Sequence, residues 1–240
     1  MSGYSAEMLV WVASFPRSGN TFLRIVLHRL YGVQTSTVYD VDGVAERLGP
    51  ELIGATDRPG TLAELRADPA PHFVKTHRQR DADVVESDRA ICLVRDGRDA
   101  LVSWARQASE DDPGRYETEL RARILRDTAV GTGSWGNNIL SWLQPAAGHR
   151  RVLRYDDLIR DPWTAVTAII TDVTPTLMLR PDAGIPSLEE LRHHDNRFFR
   201  RGRTGSHHDE LPTELHQLFW SRPDNRAAMQ LLGYDQLATV

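Results

Sequence analysis

Short apolar runs alternate along the chain with longer segments whose apolar residues recur every three or four positions. A short apolar run bounded by turn residues is typical of a buried strand, whereas the longer period is typical of a helix that covers a core. The runs predict strands at residues 9–15, 72–76, 90–94 and 151–155. The segments in which apolar residues recur every three or four positions predict helices at residues 23–31, 61–66, 97–107, 116–129 and 162–171. They also predict a helix that carries Ile139, Leu140 and Leu143.

Strands that alternate with helices indicate an α/β fold of three layers, with a central parallel sheet and helices on both faces. The pattern contains no internal repeat and no low-complexity linker, so we expect a single domain over residues 1–240. In sheets of this class, ligands bind at the carboxyl ends of the strands. The residues that follow each strand are therefore the candidates for function.

Composition narrows the partners and the location of the protein. The formal net charge of −4 does not suggest bulk binding of nucleic acid or of a membrane surface. The apolar run at residues 8–15 is too short to span a bilayer and lacks the basic start of a signal peptide. Cys92 is the only cysteine, which excludes an internal disulfide. We therefore expect a cytoplasmic protein.

The first predicted strand is followed by the sequence PRSGNT, residues 16–21, and then by a helix. The free N–H groups at a helix N-terminus bind anions, and Gly19 lets the backbone approach a ligand closely. Arg17 adds a forked cation, while Ser18 and Thr21 add hydroxyl donors. The Gly-Lys-[Ser/Thr] sequence of the common P-loop is missing. The segment is therefore a loop for another anion or an ordinary turn between strand and helix.

The second and third strands also end in polar residues. Lys75 lies one residue before the end of the second strand, and His77 directly follows the strand. His77 is either a general base or a surface residue of a loop. The third strand is followed by Arg95, and Ser103 lies two turns into the next helix. Arg95 and Ser103 could face one anion, or Arg95 could pair with a neighbouring aspartate.

The second half of the chain adds an aromatic residue and a basic loop. Tyr155, at the end of the fourth strand, could contact a flat ligand. Asp156 is a metal-binding acid or, as we favour, Asp156 or Asp157 caps the next helix. Four arginines between residues 197 and 203 surround Gly202, a composition suited to a flap around a phosphate. Two His-His-Asp triplets, at 193–195 and 207–209, lack a third ligand cluster, so we interpret them as loop residues and expect no metal site.

Five of these segments occur together and in one order: FPRSGNTF, KTH, RDGRDALVS, YDDL followed by DP, and FRRG followed by a second Gly. Together they resemble the cytosolic-type sulfotransferase family, over roughly residues 9–206. The resemblance implies a P-loop-like fold that binds 3′-phosphoadenosine 5′-phosphosulfate (PAPS). It implies transfer of a sulfonate group from PAPS to a hydroxyl of a small-molecule acceptor, with release of 3′-phosphoadenosine 5′-phosphate (PAP) and without a metal ion.

The resemblance also implies a role for each matching residue. The first loop would bind the 5′-phosphosulfate, with its final aromatic residue near the adenine, and the third strand and the flap would bind the 3′-phosphate. The implied cofactor-binding residues are Arg17, Ser18, Gly19, Asn20, Thr21, Phe22, Arg95, Ser103, Tyr155, Arg200, Arg201 and Gly202. The implied catalytic residues are His77 as the general base, with Arg17 and Lys75.

The sequence departs from the family pattern at the loop, where Arg17 replaces the usual Lys and keeps the charge without the compact ammonium group. The segment 181–198 is short, and Leu188 is its candidate for an adenine contact. One alternative is a P-loop-type nucleotide kinase or NTPase, in which Asp156 would hold Mg²⁺. The other alternative is a non-catalytic PAP-binding module, which would need no base at His77.

Overall fold

The structure, a computed structural model, describes residues 9–234 and contains one parallel sheet. Its strands are β1 (Leu9–Ser14), β2 (Thr35–Thr37), β3 (His72–Thr76), β4 (Arg89–Val94) and β5 (Arg150–Arg154). Their order across the sheet is β2-β3-β1-β4-β5, with every neighbouring pair parallel. The predicted α/β architecture is therefore confirmed.

Helices cover both faces of the sheet and are numbered in chain order. They are α1 (Asn20–Tyr31), α2 (Gly43–Leu48), α3 (Pro50–Ile53), α4 (Leu62–Ala67), α5 (Gly97–Ala108), α6 (Tyr116–Ile124), α7 (Trp135–Leu143), α8 (Tyr155–Arg160), α9 (Pro162–Val173), α10 (Leu188–His194), α11 (Ser206–Glu210), α12 (Thr213–Ser221) and α13 (Pro223–Leu232). Between residues 9 and 234, no helix combines the length and the apolar character needed to cross a membrane.

Alternating residues of β1 explain the three layers, because successive side chains of a strand point to opposite faces. Val10 and Val12 pack against the layer formed by α1, α8 and α9. Trp11 and Ala13 pack on the other face, against α4 and α7. A further cluster begins at Phe15, beyond the end of β1, and joins α5, α6, α7, α12 and α13. Burying one such large apolar side chain contributes roughly 1.5–3 kcal/mol.

Three local predictions need correction. The helix predicted over residues 116–129 ends at Ile124, since the following segment holds Asp127, Thr128 and two glycines with positive φ, which favour turns. Tyr155 begins α8 rather than ending a strand. The predicted strands omit β2, whose three residues are too few to show a period.

The sheet positions the functional residues. Ala13 lies beside Thr76 and Cys92 in the register of the parallel strands, so β1, β3 and β4 end at the same edge. The segments after these strands are PRSGNT at residues 16–21, the segment that begins at His77, and the segment that begins at Arg95. We call residues 16–21 the anion loop, after the role that the resemblance implies for them. They meet at this edge because parallel strands place all their carboxyl ends there.

Candidate active site

The carboxyl edge of the sheet opens into a cleft of about 490 Å³. The structure brings twelve of the fourteen predicted site residues to its wall. They are Arg17, Gly19, Asn20, Thr21, Phe22, His77, Arg95, Ser103, Tyr155, Arg200, Arg201 and Gly202. Leu188, the candidate for an adenine contact, also lines the cleft. The other two, Ser18 and Lys75, are buried beside it.

The loop between β1 and α1 has an unusual backbone. Arg17 has a φ of 63° and is the one residue other than glycine with positive φ among residues 9–234. An L-residue in this left-handed conformation costs about 1–2 kcal/mol. Gly19, with a φ of 99°, lies so close to the Tyr155 ring that a Cβ there would stand 2.6 Å from its Cδ2 atom. The N-cap residue of α1 is Gly19, which has no side chain that could accept from the first N–H groups of the helix, so no cap at this residue competes with an anion for them.

The side chain of Arg17 lies across the cleft among other cations. Its Nε donates a hydrogen bond to Ser103 Oγ at 3.2 Å, and its Nη2 donates to the Phe198 carbonyl at 3.3 Å. The guanidinium lies 4.5 Å from the centre of the Phe198 ring. Burial lowers the pKa of Arg17 to about 10, and the charges of Arg95 and Arg47 act in the same direction. A cation in such surroundings would be stabilised by a bound anion.

Arg95 supports the loop from β4. Its Nη1 donates to the Arg17 carbonyl at 3.0 Å, and its guanidinium lies 4.2 Å from the centre of the Tyr155 ring. The Nε of Arg95 and the hydroxyl of Ser18 are buried and have no hydrogen-bond partner within residues 9–234. Buried donors usually have partners, so these two orphaned groups indicate where a ligand would bind.

His77 is held as a neutral imidazole with a defined tautomer. Its Nδ1 lies 2.9 Å from the Ser14 carbonyl, which can only accept a hydrogen bond, so Nδ1 carries the proton and Nε2 keeps a lone pair. Ser14 Oγ lies 3.2 Å from the same nitrogen. The amide of Asn20 donates to Ser14 Oγ at 3.1 Å and thereby connects the anion loop to the imidazole. His77 has the form that a general base requires.

The predicted catalytic residue Lys75 does not line the cleft. Its Nζ lies 3.1 Å from Asp42 Oδ1, and the other oxygen of that carboxylate lies 2.8 Å from Arg24. Burial lowers the pKa of Lys75 below its ordinary value, while Asp42 opposes the change. Two cations therefore share one carboxylate. Burial lowers the pKa of His77 to about 3, and the charge of Lys75 adds to this effect.

We expect the imidazole of His77 in the free protein to stay neutral between about pH 5 and pH 8, because its pKa of about 3 lies far below the ordinary value. Below about pH 6.5 the unfolded chain binds this proton and the folded chain does not, so this histidine makes the protein less stable as the pH falls. Nitrogen-15 NMR, with the resonance assigned by its loss in His77→Gln, measures the titration. A midpoint near pH 6.5 would contradict the expected burial.

The basic loop lies against an acidic helix. Arg200 and Arg201 pair with Glu210 of α11 at 3.0 and 3.1 Å, and Arg106 binds the same carboxylate at 2.7 Å. Gly202 has a φ of 57° and packs against Leu188. The cleft wall therefore combines arginines with apolar side chains.

Two minor predictions are wrong. The His-His-Asp triplets are not loop residues, since residues 193–194 end α10 and residues 207–209 lie in α11. Neither Asp156 nor Asp157 caps a helix, since both lie in the first turn of α8, where Asp156 accepts a hydrogen bond from the Tyr234 hydroxyl at 2.7 Å. The cap of α9 is Asp161, which accepts from the Thr164 N–H at 3.0 Å.

A family model described as the sulfotransferase domain matches residues 8–171, well over half of the chain. The chain belongs to the sulfotransferase domain family. A WSCD family member of Drosophila pseudoobscura pseudoobscura is 28% identical over 171 residues, which cover 69% of this chain and 50% of the relative. Sulfotransferase 1A1 of Mus musculus is 22% identical over 170 residues, which cover 67% and 58%. The chain thus spans about half the length of the curated WSCD relatives that it matches.

Two solved structures share the fold. Mouse sulfotransferase SULT7A1 complexed with PAP gives a TM-score of 0.65 at 16% identity, covering 96% of this chain and 94% of the other. Retinol dehydratase in complex with androsterone and the inactive cofactor PAP gives a TM-score of 0.60 at 17% identity, covering 93% and 81%. The sulfotransferase fold thus extends beyond residue 171, where the family match ends.

In this sulfotransferase-family chain, three residues outside the motifs contact His77, Lys75 and Arg17 and were not predicted from the sequence. The hydroxyl of Tyr39 accepts a hydrogen bond from the backbone N–H of His77 at 2.7 Å, and Asp42 pairs with Lys75. Phe198 covers Arg17. Tyr39 and Asp42 follow the unpredicted strand β2, so the short TST sequence at residues 35–37 was the one local signal that could have found them.

Proposed function

We propose that residues 1–240 act as one PAPS-dependent sulfotransferase domain that transfers a sulfonate group to a hydroxyl of a small-molecule acceptor. The observation that carries this proposal is the cleft itself, where arginines and orphaned donors lie beside an imidazole with a free Nε2. The family match supports the reaction class. We also propose a cytoplasmic location, which the single buried thiol of Cys92 supports.

The residues at the cleft fit the donor PAPS. The free N–H groups of α1 and the buried Ser18 hydroxyl suit the 5′-phosphosulfate. Arg95 and Ser103, with the arginines of the basic loop, suit the 3′-phosphate. The apolar part of the wall suits the adenine and includes Phe22, Ile185 and Leu188. PAPS supplies an electrophilic sulfonate, so that the acceptor oxygen forms a new S–O bond as the S–O bond to PAP breaks.

His77 takes the proton of the acceptor hydroxyl on Nε2. Its Nδ1 keeps the hydrogen bond to the Ser14 carbonyl, which orients the ring and stabilises the imidazolium that forms. General base catalysis of this kind typically contributes about 10²–10⁴-fold to a rate. Arg17 places positive charge at the loop where negative charge develops on the transferred group and the leaving group.

The kinase or NTPase alternative lacks support at the residue that it requires. Asp156 is hydrogen-bonded to Tyr234 and does not belong to the wall of the cleft as described for residues 9–234.

A thermal-shift measurement distinguishes the sulfotransferase from the kinase or NTPase. At 100 times its Kd, PAP without metal should raise the Tm by roughly 5–10 °C, since such binding contributes about 2.7 kcal/mol. Stabilisation by ATP–Mg²⁺ and not by PAP would reject the sulfotransferase.

The PAP-binding module is tested by turnover. A sulfotransferase should convert PAPS to PAP in the presence of a panel of phenols and aliphatic alcohols, with a matching sulfate ester for each PAP released. PAP binding without an ester from any acceptor would favour the module.

Arg95→Ala should weaken the binding of PAP about 10–100-fold and that of adenosine 5′-phosphosulfate less than threefold, because only PAP carries a 3′-phosphate. Calorimetric Kd values for both ligands measure this difference. Ser103→Ala, which leaves the Arg95 contacts to the loop in place, should give a smaller effect with the same selectivity. Equal losses for both nucleotides would show that Arg95 supports the loop rather than the 3′-phosphate.

A further inference from the structure

A buried carboxylate of the RDGRDALVS segment, to which the sequence assigned no role, holds the segment that follows the basic loop. Asp99 lies one turn after Arg95 and is 1% exposed. Its Oδ2 accepts the Gly205 N–H at 2.8 Å, and its Oδ1 accepts the His207 N–H at 2.9 Å. The Nδ1 of His207, a residue 8% exposed, lies 2.8 Å from the same Oδ1. Because the carboxylate accepts, this ring nitrogen carries the proton.

The same segment is attached to Arg95. The Nη2 of Arg95 donates to the Arg203 carbonyl at 3.2 Å and lies 3.8 Å from Asp99 Oδ2. Burial alone would raise the pKa of Asp99, but the hydrogen bond from His207 and the charge of Arg95 hold it below its ordinary value. The carboxylate is therefore charged at neutral pH and connects helix α5, Arg95 and residues 203–207.

The hydrogen bonds of Asp99 join two parts of the protein that would contact a bound nucleotide. One is the guanidinium of Arg95 at the cleft wall, and the other is the basic loop with Arg200, Arg201 and Gly202. Gly205 turns the chain with a φ of 75° directly before α11. The hydrogen bonds to Asp99 thus fix the place at which the basic loop meets a helix, four residues after Arg201.

We propose that Asp99 and His207 are positioning residues of the nucleotide site, which hold Arg95 and the basic loop in the arrangement that binds the 3′-phosphate. This inference rests on the proposed function, since it assigns those groups to PAPS and PAP. His207 acts through Asp99 and touches neither the nucleotide nor the acceptor. His208 provides a matched comparison, since its exposed ring lies 4.1 Å from that of His207, centre to centre.

The test compares variants of the full chain in their affinity for PAP and for adenosine 5′-phosphosulfate. His207→Ala removes a hydrogen bond to a charged acceptor and should raise the Kd of PAP about tenfold, with less than a twofold change for adenosine 5′-phosphosulfate. The KM for PAPS should rise in parallel while kcat stays within about twofold. His207→Asn, whose amide can replace Nδ1 as a donor to Asp99, should restore the Kd to within about threefold. His208→Ala should change neither Kd.

One further variant keeps the test decisive if His207→Ala does not fold. His207→Gln carries the same amide farther along the side chain, away from the Nδ1 position, and should lose PAP affinity as the Ala variant does. Equal PAP affinity in the Asn and Gln variants would overturn the inference. So would an equal loss of both nucleotides in any variant, while PAP binding by the unchanged chain would leave the proposed function standing. Failure of the unchanged chain to bind PAP would reject both.

Discussion

His77→Ala is expected to lower the rate of sulfonate transfer by about 10²–10⁴-fold while PAP still binds with a Kd within about threefold of the unchanged chain. The physical reason is that Nε2 is the free nitrogen of an imidazole whose other nitrogen is fixed on the Ser14 carbonyl. The measurements are single-turnover rates with saturating PAPS and a calorimetric Kd for PAP. Single-turnover rates separate the chemical step from product release.

The matched variant for this experiment is His77→Asn. Its amide can donate to the Ser14 carbonyl as Nδ1 does, but it offers no nitrogen in place of Nε2. It should be as slow as the Ala variant and closer to the unchanged chain in Tm. His193→Ala removes an exposed histidine at the end of α10 and should change neither quantity. Substantial transfer by the Asn variant would mean that His77 orients the site and that another group takes the proton.

Arg17→Ala is expected to lower kcat/KM for PAPS by about 10²–10³-fold, the size of the loss when one charge-stabilising donor is removed from an active site. The loss should appear in kcat as well as in KM, because in the proposed reaction this cation interacts with the group whose charge changes during transfer. Steady-state kinetics over a range of PAPS concentrations measures the two parameters. A loss confined to KM would mean that Arg17 binds the nucleotide without assisting the transfer.

Arg17→Lys separates the charge from the forked shape. A lysine keeps the positive charge but cannot donate at once to Ser103 and to the Phe198 carbonyl as the guanidinium does. We expect its kcat/KM to lie within about tenfold of the unchanged chain. Arg160→Ala, which removes an exposed arginine from α8, is the control for general loss of positive charge and should have no effect on kcat/KM. Activity of Arg17→Ala within threefold of the unchanged chain would contradict the role.

The sequence predicted the parts of the site that are local. A strand, a glycine turn and a helix follow one another within residues 9–31, and neighbouring residues alone determine that succession. His77 and Arg95 were found because each directly follows a strand whose apolar run is visible. Parallel pairing then places these strand ends together, so the meeting of Arg17, His77 and Arg95 in one cleft follows from the predicted fold.

The parts that the sequence did not predict depend on contacts between distant segments. Lys75 belongs to a motif, but its partner Asp42 lies 33 positions earlier in a segment without a clear period. Asp99 meets residues more than 100 positions away. Such contacts depend on how loops cross the edge of the sheet, which local propensity does not encode.

The left-handed backbone of Arg17 has a consequence for engineering this protein. Glycine adopts such a φ without a clash, so Arg17→Gly would relieve about 1–2 kcal/mol of strain, offset in part by the greater freedom of glycine in the unfolded chain. A selection for heat resistance alone could therefore favour removal of the cation on which the anion loop depends. With the role proposed for Arg17, stability and activity are in conflict at this residue, and a thermostable variant should be sought with residue 17 held constant.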